Sequence, residues 1–348
     1  MTFSRISQYL LSFLVKLLNI PSPTGYTEDA ITFIEETFAD FPEISTKRTN
    51  KGSLLAKWSG VSDHAPRALT AHVDTLGAVV KQIKANGRLQ ISQLGGLVLN
   101  AVESEGCWVY TQSGKKIRGS FLLNKASSHV HGKETIETQR STETMEIRLD
   151  AYTLSAEETQ ALGIQVGDFI SFDPRVEQRN GFIRSRFLDD KAGVAILVTA
   201  IKMMLEAKFK PTRTTYFLFS NFEEVGHGAP GGIPEEVTEL VAVDMAAVGQ
   251  GQESDEFNAT LCIKDSSGPY HHGLSNQLRK LAAEHNISHK VDIYPYYSSD
   301  ASAALRAGRD MAVALIGPGV DASHSYERTH IKALLATTQW IIVYLLSD

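Results

Sequence analysis

Apolar residues recur at helical spacing near the start of the chain, in Tyr9-Leu-Leu-Ser-Phe-Leu-Val-Lys-Leu-Leu-Asn-Ile20, which predicts an amphipathic helix. Lys16 interrupts the run and no small-residue cleavage site follows, so the segment does not read as a signal peptide. Ile20-Pro-Ser-Pro-Thr-Gly25 then turns the chain. Thr27 can cap a second helix, with Glu28 and Asp29 in its first turn, that reaches about Phe38. Residues 53–58 and 67–72 read as strands. From about Ala78 to Asn180 the pattern changes to short alternating runs, such as Gly106-Cys-Trp-Val-Tyr-Thr and Met145-Glu-Ile-Arg-Leu, separated by polar turns. Ser155-Ala-Glu-Glu158 is a capping-box pattern that opens one short helix, and Gly167-Asp-Phe-Ile-Ser-Phe follows as a strand. The polar residues 127–144 are expected to form a mobile loop.

Strand–helix alternation resumes at Gly181. A helix is predicted over residues 191–206, strands over 214–220 and 240–244, and a further helix over 273–284. The predicted fold class is therefore α/β: a mixed sheet covered by helices, built from residues 1–77 and 181–348, with a small β-barrel-like domain inserted at 78–180.

Composition narrows the function classes. The 348 residues are 43% hydrophobic and 21% charged, as in an ordinary globular protein. A formal charge of −6, with no basic stripe, argues against nucleic acid as a partner. No run approaches the ~20 apolar residues that span a bilayer, so no membrane partner is expected. Cys107 and Cys262 are the only cysteines, lie far apart in strand-like settings, and read as buried free thiols of a cytoplasmic protein.

The candidate chemistry lies at the ends of the apolar runs. In Ala71-His-Val-Asp74, strand geometry points His72 and Asp74 to one face. His72 is read as a metal ligand and Asp74 as the carboxylate that orients its ring; a plain strand-end hydrogen bond is the ordinary alternative. In Leu188-Asp-Asp-Lys191 two aspartates open a helix, where capping alone would explain them. A rigidly held carboxylate there could instead bridge two cations ~3.5–4 Å apart; Asp189 is read as that bridge and Asp190 as its support. Glu223 and Glu224 follow an apolar strand, where adjacent acids are costly unless they are paired or ligating. Glu223 is read as general base and Glu224 as ligand. Asp244 ends another apolar run and is either a turn residue or a further ligand. Residues 322–330 offer His324, His330 and Glu327 in a polar loop that is weak by itself. Imidazoles and carboxylates without a thiolate suit two divalent cations and a water nucleophile better than a structural zinc site.

Taken in order, Ala71-His-Val-Asp, Leu188-Asp-Asp-Lys-Ala-Gly, Phe222-Glu-Glu-Val-Gly, Val243-Asp244 and His324-Ser-Tyr-Glu resemble the M42 family of dinuclear metallo-aminopeptidases, which include glutamyl and tetrahedral aminopeptidases. This family belongs to the zinc-peptidase clan with M18, M20 and M28. Ile20-Pro-Ser-Pro-Thr-Gly also looks like the clan's N-terminal signature. The resemblance implies one metal on His72, Asp189 and Asp244, a second on Asp189, Glu224 and His324, and Glu223 activating the water between them. It implies a substrate-lining role for Ser299 and Asp300, a peptide substrate, and a homo-oligomer built from dimers through the inserted domain. Zinc is the first choice of metal, with cobalt or manganese also suited to nitrogen and oxygen donors. His227 after the glutamate pair, and Gly317-Pro-Gly-Val-Asp-Ala-Ser without an aromatic, basic lead-in to His324, depart from the usual pattern; His330 is expected to pack or bond locally. Two other functions fit the same residues less well: an amidase or deacylase of N-acylated amino acids or sugars, and a non-catalytic metal-stabilised binding protein. The latter has no use for a base beside the metals.

Overall fold

The computed structural model describes residues 3–348, which divide into two compact units, residues up to Asp74 with Arg175–Asp348, and Thr75–Pro174. In the first unit, among the described residues, a thirteen-stranded mixed sheet runs through the core. Its middle strands are Arg213–Ser220, Ser62–His72, Glu239–Val243 and Ala312–Asp321, each parallel to the next and buried over most of its length. Strands buried on both faces read as continuous apolar runs, as Tyr216-Phe-Leu-Phe and Leu240-Val-Ala-Val do here. Antiparallel strands extend the sheet on either side, Leu54–Trp58 against Arg213–Ser220 and Ala259–Asp265 against Ala312–Asp321.

Helix Leu188–Glu206 packs on the sheet between helices Phe3–Leu18 and Ile331–Leu346 and is buried almost throughout, which explains its apolar residues on every side. Its first turn is irregular: Asp189 and Asp190 have non-helical dihedrals and are joined by a cis peptide, so the regular helix starts at Lys191. Thr27 occupies the N-cap position of helix Glu28–Phe38, but its side chain makes no capping bond. Its ψ of 5° lies outside the extended conformation from which an N-cap hydroxyl reaches forward.

The second unit is a closed six-stranded barrel in the order Gly77–Ile83, Leu89–Leu94, Met145–Leu149, Lys116–Leu123, Gly106–Tyr110 and Phe169–Phe172, which removes the exposed sheet edges. Both bonds of the Ser155–Glu158 capping box form. Within residues 127–144 lie two helical turns, Ser128–His131 and Glu134–Glu137. Arg140 pairs there with both carboxylate oxygens of Glu103. Among the described residues no helix is long and apolar enough to cross a membrane.

Candidate metal centre

Ser62–His72, Arg213–Ser220 and Glu239–Val243 are parallel, so their carboxyl ends emerge on one side. His72 ends the first strand, Glu223 and Glu224 form a 3₁₀ turn just past the second, and Asp244 follows the third. Asp189 and Asp190 enter from the start of the buried helix, and His324 from the loop after strand Ala312–Asp321. This is where α/β sheets place their sites. Three of the segments pass through a non-glycine residue with positive φ: Phe187 (70°), Phe222 (70°) and His324 (62°). Such conformations persist only where surrounding contacts hold them, and they cluster at functional sites.

His72 is buried, and its Nδ1 lies 2.9 Å from the main-chain carbonyl of Asp74. A carbonyl only accepts, so Nδ1 carries a proton, while Nε2 lies 3.0 Å from Asp189 Oδ1. The expected imidazole–carboxylate bond is not the one made, because Asp74 Oδ1 stands 3.8 Å from Nδ1. The Asp74 carboxylate instead accepts the Glu223 N–H at 3.1 Å, the Glu224 N–H at 3.3 Å and the Thr24 hydroxyl at 2.8 Å. Asp190 accepts the N–H of His72 at 3.2 Å and of Gly193 at 3.1 Å, so it both orients and caps. Asp189 lies between the imidazoles, its Oδ2 3.5 Å from His324 Nε2, which is in turn 3.7 Å from Glu224 Oε2. Glu223 Oε2 lies 3.7 Å from His72 Nε2.

Two ligand sets have atoms within 4.8 Å of one another: His72, Asp189 and Glu224, and His72, Asp190 and Asp244. Burial pushes Glu224 up to about 8 and Asp244 up to about 7, with the charge of Asp189 adding to each. Burial also drives Glu223, Asp190 and Glu327 well above the usual carboxylate range. Burial would raise Asp189 too, but hydrogen bonds from His324 and His72 outweigh it and hold it low. Burial would lower His72, yet the charges of Glu223, Asp189 and Asp244 carry it well above its ordinary value. So many enclosed acids around two imidazoles call for added positive charge, and their nitrogen and oxygen donors fit divalent cations.

The other sequence candidates lie in different surroundings. Ser299 caps helix Asp300–Arg306 in a reciprocal bond pair with Ser302 and meets the Tyr270 hydroxyl at 2.8 Å. Asp300 accepts from the Thr70 hydroxyl at 3.0 Å, the Ser220 hydroxyl and the Ala229 N–H at 2.6 Å. Both are buried and use their polar atoms to hold the fold. His227 is exposed, and its carbonyl accepts from Lys51 at 2.6 Å. The ring of His330 packs against Phe182 and Phe257, while its Nδ1 caps helix Ile331–Leu346. Sequence reasoning gave no role to Glu327, which accepts the N–H of Asp189 and of His324, or to Thr24. A signal for Glu327 was available: Glu327 and Thr329 alternate with exposed Arg328, so the acid points inward.

The family model of the M42 glutamyl aminopeptidases matches residues 52–339. YhfE of Bacillus subtilis (strain 168), assigned to the aminopeptidases, is 48% identical over 338 residues, 97% of each chain. Aminopeptidase APDkam598 of Desulfurococcus kamchatkensis superposes with a TM-score of 0.87 at 20% identity, over 99% of this chain and 96% of its own. The TET1 peptidase of Pyrococcus horikoshii, which assembles into a tetrahedron or a large octahedral shell, does so with a TM-score of 0.84 at 22% identity, over 97% of this chain and 100% of its own.

Proposed function

The chain belongs to the M42 glutamyl aminopeptidase family, and on that premise we propose how its residues divide the work of a metal-dependent aminopeptidase. It is a hydrolase that removes N-terminal residues with the help of divalent metal. His72, Asp189 and Asp244 would hold one ion, and Asp189, Glu224 and His324 the other. Asp189 is chosen as the bridge over Asp190 on one observation. Its carboxylate faces both imidazoles, whereas the two Asp190 oxygens already accept main-chain N–H groups. The bound pair would acidify a water and polarise the scissile carbonyl. Glu223 would take a proton from the attacking water and return it to the leaving amine. Burial disfavours the charged form of Glu223, which strengthens it as a proton acceptor. Asp74 fixes the turn that carries Glu223.

Zinc is the proposed metal, with cobalt and manganese compatible with the same donors. The proposed substrate is a peptide with a free N-terminus. A cytoplasmic homo-oligomer built from dimers, with the inserted barrel supplying contacts, completes the reading; the shells described for the Pyrococcus relative support it. The test is Glu223→Gln assayed on aminoacyl chromogenic substrates. The variant should keep its metal content while kcat falls about 10²–10⁴-fold. Full turnover would remove Glu223 from the mechanism.

A further inference from the structure

Glu327 touches two of the proposed ligands without being one. It begins strand Glu327–His330, three positions past His324, and is only 2% exposed. Its Oε2 accepts the main-chain N–H of Asp189 at 3.1 Å and its Oε1 that of His324 at 3.1 Å. A carboxylate is planar and stiff, so two N–H groups gripped by its two oxygens are kept at a nearly constant separation. They belong to segments far apart in sequence, which local chain geometry cannot register.

The grip matters most at His324. This residue has a φ of 62°, a conformation that its surroundings must impose, and its side chain is the most exposed of the proposed ligands, at 35%. His72 is held independently, by Asp190 at its N–H and by the Asp74 carbonyl at Nδ1. We propose, on the ligand assignment above, that Glu327 is a positioning residue for the metal position formed by Asp189, Glu224 and His324. It sets the distance between the bridging carboxylate and the second imidazole, so that position depends on Glu327 far more than the one containing His72 and Asp244. Outer partners that orient ligands have effects of this kind, typically 10–100-fold in metal affinity.

The test is titration of the metal-free protein with cobalt(II) alone, followed by calorimetry and by the visible spectrum, for wild type, Glu327→Ala, Glu327→Gln and His324→Ala. In Glu327→Ala the second equivalent should bind about 10–100-fold more weakly. The first should change far less, so that the ratio of the two affinities widens. Glu327→Gln keeps one acceptor oxygen and should fall between the alanine variant and wild type. A general loss of structure would weaken both equivalents together, so the ratio separates positioning from folding. If Glu327→Ala does not fold, Glu327→Gln decides the question by the same ratio. An unchanged ratio in the folded variant overturns the inference. If His324→Ala also keeps the second equivalent, the ligand assignment itself has failed. If His324→Ala loses it while Glu327→Ala keeps it, only the role of Glu327 falls.

Discussion

Three acids that the proposed mechanism leaves outside the ligand set each grip two main-chain N–H groups: Asp74 those of Glu223 and Glu224, Asp190 those of His72 and Gly193, and Glu327 those of Asp189 and His324. The proposed reacting side chains are thus placed through their backbones. Asp74→Asn tests this most directly. The amide retains one acceptor oxygen and turns an –NH₂ toward Glu223 N or Glu224 N, leaving donors face to face in a buried site. A buried donor without a partner costs about 1–3 kcal/mol, readable as a lower midpoint in urea denaturation. Displacing the base by a fraction of an ångström should also lower kcat, by up to about 100-fold at saturating metal. Because the His72 ring bonds the Asp74 carbonyl, which the substitution keeps, metal affinity should hold better than turnover. An unchanged kcat would show that Glu223 needs no such support.

Strands supply position through close approach, and glycine is what permits it. A Cβ on Gly317 would lie 1.6 Å from the carbonyl oxygen of Asp244, and one on Gly193 would lie 2.2 Å from that of Val243. Gly317→Ala should therefore push strand Ala312–Asp321 away from Asp244, costing about 1–3 kcal/mol as overpacking does and weakening metal binding with it. Denaturant midpoints and a metal titration would check both, and a stable variant with normal affinity would refute the packing argument. The same strand shows where the sequence was opaque. Gly317-Pro-Gly319 carries turn chemistry, yet it lies within a strand, because Ala246–Val248 and Ala259–Asp265 pair on either side and Gly319 must pass close to Asp255. Elements whose signal is local were legible: the runs around Phe217 and Val241, the box at Ser155, and the helix beyond Lys191. The acids at the strand ends were legible as well, because a carboxylate closing an apolar run needs a reason. What was not legible depends on tertiary partners: the Asp74 carboxylate turning to the Glu223 turn and away from His72, Ser299 and Asp300 engaged inside the fold, and Glu327 reaching Asp189.

For the molecule as a whole, alternating strands and helices were enough to indicate an α/β sheet, and the run of short strands indicated the barrel. The global consequence of the site is electrostatic. Asp74, Asp189, Asp190, Glu223, Glu224, Asp244 and Glu327 crowd around His72 and His324, so without cations the folded state bears repulsion that the unfolded chain does not. Glu224, raised to about 8, and Asp244, raised to about 7, hold their protons more tightly folded than unfolded. Stability from such groups is fully present below their unfolded values, about pH 4, and is lost as pH climbs through the folded ones. His72, also raised, acts in the same direction: its contribution is present below the unfolded value and lost as pH rises through the folded one. Asp189 is depressed, so its contribution is already complete above about pH 4 and does not vary across neutrality. Lys191, lowered to about 7 by burial, opposes the trend only above that pH. The chelator-treated protein should therefore melt at progressively lower temperature from about pH 5 to pH 7. Zinc-loaded protein should behave in the opposite way, because ligand acids must give up their protons to bind metal, and affinity, with the stability it confers, rises as pH does. Melting curves of both forms across that window would check the two slopes. A metal-free protein that gains stability between about pH 5 and pH 7 would mean that the acids are already compensated within the fold and that cations are not what the cluster was built to receive.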